Sequence, residues 1–429
     1  MYRVKNISYN NTYKVIGKHP DGRIFATRHG NTNGLYVVDR DLNLLETLST
    51  TLLNRDENGL GNGIKECRIL STGTMLCWAI YRIGANQTVI WRSTDTTYST
   101  FEPVFSLPND ISFIERSVDV STLDDTIMCC EYTTNPQVGG IWSEPHELNV
   151  WRGTNDGRDW DIVHTRSRIE IEGDNFIRHF HAVQYDPYEN LFWITTGDWA
   201  VENSISHIKP NGTNYTIVFE GAKGLPSQQF RTTSLMFTEN YIWYGSDAYY
   251  QNDHYMARIN RETRQLEILP YLPDDCIRLS KKISIKGKEV LIANKSYEMS
   301  PTNNGTTELL CCEDLYNGHW YKLYEWQVNS LEEVSLIYEI IDNSDGRMFV
   351  HIRKIKDDGH EPTLYTTAIV DLEKIKPKSY LMIKNGKDYA EIPMFDNLML
   401  SDINPVNKPA LRIKVDGKVK SVIGNNRQY

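Results

Sequence analysis

The sequence predicts an all-β protein: a β-propeller of about seven four-stranded blades, with six as the alternative count, followed by a small C-terminal β module. Three observations predict it. A turn-plus-strand unit recurs along most of the chain, its step is close to that of a propeller blade, and no stretch shows the 3.6-residue period of a helix.

The recurring unit is a turn carrying Gly, Asp or Asn that leads directly into aromatic and β-branched residues. It occurs at Asp21-Gly22 before Arg23-Ile24-Phe25-Ala26, and at Gly73-Thr74 before Met75-Leu76-Cys77-Trp78. It returns at Asp124-Asp125 before Thr126-Ile127-Met128-Cys129, and at Glu189-Asn190 before Leu191-Phe192-Trp193-Ile194. Three more copies stand at Asn240 before Tyr241-Ile242-Trp243-Tyr244, at Gly287 before Val290-Leu291-Ile292, and at Asp345-Gly346 before Arg347-Met348-Phe349-Val350. With Gly22, Gly73, Asp125, Asn190, Asn240, Gly287 and Gly346 as anchors, the steps are 51, 52, 65, 50, 47 and 59 residues. A blade takes ~40 to 50 residues, so the longer steps imply loop insertions.

Each copy carries a strand before its anchor, as in 64–70, 179–185 or 230–237. Another follows after a loop, as in 34–39, 89–93, 149–153 or 256–259. A fourth closes the unit, as in 44–48, 162–164, 217–219 or 266–269. The propeller is expected over residues 1–375, with Met1–Lys5 supplying a strand that closes the ring on the last blade. Residues 376–429 form the separate module. Its two segments, Ser379 to Lys387 and Ala410 to Val419, each read as a hairpin with a type I′-like turn at Asn385-Gly386 or Asp416-Gly417.

Two turns carry a family resemblance. Ser93-Thr94-Asp95-Thr96-Thr97-Tyr98-Ser99-Thr100-Phe101 keeps a hydroxyl residue, an aspartate and a late aromatic, without the glycine and one residue longer than the pattern. Gly153-Thr154-Asn155-Asp156-Gly157-Arg158-Asp159-Trp160 keeps the glycine and tryptophan, with Asn155 in place of the aspartate. Both resemble the Asp-box (BNR repeat) of sialidase-like propellers, Ser/Thr-x-Asp-x-Gly-x-x-Trp/Phe. The resemblance implies a propeller whose boxes fold hairpins and mark no active site. The arginine triad, Tyr/Glu pair and aspartate of sialidases proper find no matching motifs here. The C-terminal segments resemble short modules at the ends of phage tail and fibre proteins.

Composition narrows the partners. Net charge is −10 with both signs interspersed, and no basic stripe exists to hold a duplex, so nucleic acid is excluded as a main partner. No run approaches the ~20 apolar residues of a membrane helix, and residues 1–6 lack a signal-peptide core, so no membrane partner is expected. Seven cysteines include the adjacent pairs Cys129-Cys130 and Cys311-Cys312. Neighbours on a strand face opposite ways, so these read as buried thiols made in a reducing compartment.

Ligands of a propeller sit where the innermost strands open. Alternation along Arg178-His179-Phe180-His181-Ala182-Val183 places His179, His181 and Val183 on one face. Such a pair suits proton transfer, metal ligation or hydrogen bonding within the channel. No third ligand is fixed by spacing, so neither a metal nor a cofactor is expected. Asp198 and Asp247 end strands beside Gly197 and Gly245, where they cap a loop or meet a sugar hydroxyl. Arg231, with Arg28 and His29, either grips a carboxylated sugar or pairs with an acid at the surface or between blades. Trp142 and Trp199, with Tyr249 and Tyr250, fall in loops, as stacking platforms for sugars or as wedges between blades, and Glu131 with Tyr132 forms a carboxylate–phenol pair in type.

The expected function is glycan or cell-surface recognition by an oligomeric phage virion component, binding host polysaccharide or another virion protein. The alternative is a polysaccharide hydrolase or lyase working through His179 or His181. A scaffold in the bacterial cytoplasm is the third reading.

Overall fold

The computed structural model describes residues 1–29, 31–49, 61–83, 85–107, 111–114, 116–133, 147–166, 179–198, 202–221, 228–248, 253–269, 276–295, 307–326, 333–356, 362–375, 379–385, 388–394, 411–415 and 418–421. Among them there is no α-helix, and seven four-stranded sheets form the blades of a β-propeller. The innermost strands are Tyr13–Lys18, Gly61–Ile69, Val118–Val120, Phe180–Asp186, Leu235–Phe237, Ile277–Ile285 and Glu333–Ser344. Several of them touch the innermost strand of the next blade, and Glu333–Ser344 touches Tyr13–Lys18, so the first and last blades meet. In the last blade the sheet order runs Tyr2–Asn10, Pro362–Lys374, Arg347–Lys356, Glu333–Ser344. The N-terminal strand is thus its outermost member, as the sequence suggests.

The anchors are the turns between the first and second strands of each blade. Gly22, Gly73, Asp125, Asn190, Gly287 and Gly346 all have positive φ, between 53° and 96°. Only Gly, Asn and Asp enter that region at small cost, which is why the recurrence shows in those three residue types. Asn240 lacks the left-handed twist; its turn is closed by Thr238 N–H donating to the Tyr241 carbonyl at 3.0 Å.

Both faces of a blade are buried, so successive residues belong to different cores. Phe25 packs with Leu35, Ile64 and Cys77 toward the second blade. Its neighbours Ile24 and Ala26 pack with Phe349 and Ile369 of the last blade. Cys129 joins the core shared with the second blade and Cys130 the core shared with the fourth, which separates the adjacent thiols. Double burial explains continuous apolar runs such as Met75-Leu76-Cys77-Trp78-Ala79 in place of alternation.

The turns between third and fourth strands lie on the same side as the anchors, here called the turn face. Asp95 accepts hydrogen bonds from the backbone N–H of Thr97 at 2.9 Å, Ser99 at 3.1 Å and Thr100 at 3.0 Å. In the third blade Trp160 donates to the Gly157 carbonyl at 2.6 Å and stacks on Phe105 of the second blade, ring centroids 4.3 Å apart. A Cβ at Gly153 would stand 2.8 Å from that indole, so the ring lies flat against bare backbone. Polar clamps bind the turn face across blades. Arg261 of the fifth blade grips Asp186 of the fourth with both terminal nitrogens, one at 2.9 Å, and Asp186 is wholly buried. Arg347 of the last blade reaches Asp41 of the first at 2.6 Å.

Compactness divides the chain into Val4–Leu372 and a second unit made of Met1–Arg3 with Glu373–Tyr429. In the second unit a four-stranded sheet has the order Asp388–Met394, Ser379–Asn385, Leu411–Val415, Lys418–Ser421. It consists of two antiparallel hairpins joined through their first strands.

Replacing Arg261 by Ala strands the Asp186 carboxylate without its counter-ion. We expect a loss of about 3–5 kcal/mol in denaturant unfolding. Arg3→Ala removes a pair with Glu373 that is largely exposed, and its expected cost is ~0–1 kcal/mol.

Candidate functional site

On the side opposite the turn face, the mouth, four blades bring charged and aromatic side chains together. His179 directly precedes the innermost strand of the fourth blade, Phe180–Asp186. The pairing of this strand with Leu191–Thr196 is irregular between Phe180 and Ala182, with Phe180 opposite Thr196 and Ala182 opposite Thr195. His181 is the extra residue of a β-bulge. This corrects the strict alternation expected from sequence: Val183 turns to the face of Phe180, and both enter the core between the third and fourth blades. The two imidazoles still converge, with ring centroids 5.0 Å apart, and are 2% and 3% exposed.

Asp198 meets them at the end of the second strand of the same blade. Gly197 before it has φ +104°, and a Cβ there would stand 2.5 Å from the Asn203 backbone, so the chain turns where only glycine fits. The Asp198 N–H donates to the Glu202 carboxylate, and its carbonyl accepts from the Gln228 side chain. Its own carboxylate lies 3.4 Å from His179 Nε2 through Oδ2 and 3.2 Å from His181 Nε2 through Oδ1. Burial pushes this carboxyl upward, but hydrogen bonds from the two histidines outweigh it and hold Asp198 well below the usual carboxylate range.

The fifth blade adds Arg231 from the turn that enters it, closed by Arg231 N–H donating to the Gln228 carbonyl at 2.9 Å. Its Nη2 stands 3.4 Å from Asp198 Oδ1 and 3.4 Å from Asp247 Oδ2. Arg278 of the sixth blade places Nε 3.6 Å from Asp247 Oδ1. From the third blade, the Tyr132 ring stacks on His179 with centroids 4.0 Å apart. Neighbouring Glu131 is wholly buried and accepts from the Asn149 backbone at 2.9 Å and the Trp151 indole at 2.8 Å, so it ties strands of its own blade.

His179, His181, Asp198, Arg231 and Asp247, singled out from sequence, therefore share one cluster. Arg28 and His29 belong to another environment. Arg28 is exposed, its guanidinium 5.1 Å over the Tyr36 ring. His29 bonds to the Thr367 hydroxyl at 3.0 Å and stacks on Tyr365. Burial, aided by His351 and Lys14, lowers the His29 ring to about 3, so it stays neutral and offers no charge to a carboxylate. Trp142 and Trp199, with Tyr249 and Tyr250, lie outside the described residues. Arg278 was missed by sequence reasoning: it begins a strand of ordinary pattern, and only ring geometry carries it to Asp247.

No protein-family model matches the chain, and no curated protein matches it. Solved structures with a similar fold include an oligogalacturonate lyase in complex with manganese, at TM-score 0.53 and 11% identity, covering 86% of this chain and 91% of that one. A prolyl endopeptidase structure aligns at TM-score 0.50 and 12% identity over 95% of this chain, which spans 55% of that protein. A sialidase from Trypanosoma rangeli in complex with the inhibitor DANA aligns at TM-score 0.44 and 11% identity, covering 86% of this chain and 60% of the other. At these identities the likeness speaks for the propeller fold alone.

The neutral His29 has a consequence for acid stability. Between its ordinary value of 6.5 and about 3 the unfolded chain binds a proton that the fold refuses, so stability falls as pH drops through that window. By about pH 4 the cost is on the order of 3 kcal/mol for this ring. His29→Gln should flatten that part of the pH dependence, read from urea midpoints at neutral and acid pH.

Proposed function

We propose that this propeller handles a carboxylated saccharide at its mouth, with Arg231 receiving the sugar carboxylate beside His179, His181 and Asp198. The observation that carries the reading is the state of Arg231. Its Nη2 is held between two aspartates, while its Nε is buried without a hydrogen-bond partner among the described residues. Asp247 Oδ1 is likewise buried without a hydrogen-bond donor. A buried donor left unmade costs about 1–3 kcal/mol, so a ligand that completes it gains that much over one that cannot. A planar carboxylate suits the guanidinium fork, and a polyol supplies donors for Asp247.

The oligogalacturonate lyase among the similar folds acts, by its name, on a saccharide of this class, and the reading carries that class to the mouth of this chain. The two degenerate boxes support a sialidase-like kinship, since Asp95 caps its turn and Trp160 wedges against the next blade.

Eliminative cleavage of such a saccharide is the second reading. The placement of His179 against Arg231 through their shared partner Asp198 favours it, because elimination needs a base near the proton it removes and a cation on the carboxylate. Unsaturated ends appearing on incubation would establish it, and binding without such ends would dismiss it.

The binding reading is tested with oligogalacturonate and its carboxyl-reduced counterpart in calorimetry on the full chain. We expect Arg231→Ala to weaken binding of the acidic form by about tenfold to a hundredfold and to leave the reduced form nearly unaffected. Equal affinity of the two saccharides for the native chain would remove the assignment.

A further inference from the structure

Both ring nitrogens of His181 face oxygen atoms. Its Nδ1 lies 3.3 Å from the Thr232 carbonyl, which only accepts, so the proton of a neutral ring sits on Nδ1. Its Nε2 then carries a lone pair, 3.2 Å from Asp198 Oδ1, which is a lone-pair donor too. A second proton on the ring would donate across this gap, and a divalent cation bound by both atoms would fill it equally. His179 sends its own Nε2 to the other oxygen of the same carboxylate at 3.4 Å.

From this we infer that His179, His181 and Asp198 form a binding site for a first-row divalent transition-metal ion. The three residues each offer one ligand atom, and these atoms lie within 4.8 Å of one another. Bonds of ~2.0–2.2 Å at cis or tetrahedral angles put neighbouring ligand atoms about 3.0–3.5 Å apart. The two imidazole-to-carboxylate separations, 3.2 and 3.4 Å, match that edge length. Two imidazoles with one carboxylate suit ions of the manganese-to-zinc series, whereas calcium and magnesium favour sites built from oxygen alone.

The surroundings fit as well. The Thr232 carbonyl holds the His181 tautomer that leaves Nε2 free to ligate, the usual outer partner of a metal-bound histidine. Stacking on Tyr132 fixes the plane of His179. Arg231, the nearest cation, has Asp247 as a second counter-ion and so keeps a partner when Asp198 turns to a metal. Three protein ligands leave coordination positions for a ligand's oxygens. The role of the ion in saccharide recognition rests on the reading above; the site itself rests on the convergence of the His179, His181 and Asp198 ligand atoms.

The test uses the full chain stripped with a chelator, then dialysed against Mn²⁺ or Zn²⁺ with metal analysis of the protein. We expect one saturable ion per chain and a rise in the unfolding temperature on loading, which needs no variant. Asp198→Asn and His181→Ala should each weaken binding by about tenfold or more while circular dichroism stays that of the native chain. Absence of saturable binding, with nitrogen NMR showing both His181 nitrogens protonated, overturns the inference, because a proton then fills the gap. Metal uptake unchanged in both folded variants overturns it too. Calorimetry with oligogalacturonate runs alongside. A chain that takes the metal and no saccharide keeps this site and loses the functional reading, and a chain that takes saccharide and no metal does the reverse.

Discussion

Closure of the ring is the constraint on which the rest depends. Tyr2–Asn10 supplies the outermost strand of a blade whose other three strands lie more than three hundred residues later. That pairing covers an edge that would otherwise stand open, and it fixes the first blade against the last through Arg347 and Asp41. Only in a closed ring does each blade have a neighbour on both faces, so only then are runs such as Met75 to Ala79 buried throughout. The site inherits the same dependence. Tyr132, His179, Arg231 and Arg278 come from four blades and meet because consecutive blades are held at fixed angles around one axis.

What was legible in the sequence is what local backbone chemistry dictates. The anchors could be read because Gly, Asn and Asp enter the left-handed region at least cost, and six of the seven do have positive φ. The histidine pair and the aspartates at strand ends were visible because strand ends face the mouth in every blade. The bulge at His181 was not, since nothing in Phe180-His181-Ala182 marks an inserted residue; it arises from pairing with Thr195 and Thr196. Arg278 was invisible for a related reason, because its partner Asp247 belongs to another blade. Arg28 and His29, whose residue types suit a carboxylate, stand apart from that cluster, Arg28 exposed over the Tyr36 ring and His29 buried with its pKa lowered.

Buried polar atoms without a hydrogen-bond partner occur on both faces of the ring, Arg92 Nε and Asp342 Oδ1 on the turn face among them. On the turn face several arginines are used up by structure: Arg261 by Asp186, Arg264 by Glu189 at 2.8 Å, Arg258 by Glu267 at 2.7 Å and by the Tyr316 carbonyl, Arg347 by Asp371 and Asp41. Each joins neighbouring strands or blades, and each has its donors directed at oxygen. At the mouth Arg231 Nε and Asp247 Oδ1 are likewise buried without a hydrogen-bond partner, the latter 3.6 Å from Arg278 Nε. Stability alone gives no reason to keep such atoms in the interior, since replacing them by apolar groups of similar shape relieves the cost.

An unbonded donor in Arg231 suits an anion, and the convergence of His179, His181 and Asp198 suits a cation. A metal-bound carboxylate sugar would answer both, with His179, His181 and Asp198 holding the ion and Arg231 the carboxylate. That conjunction, on the face that the structural clamps leave alone, is what the proposal of an acidic saccharide at the mouth rests on.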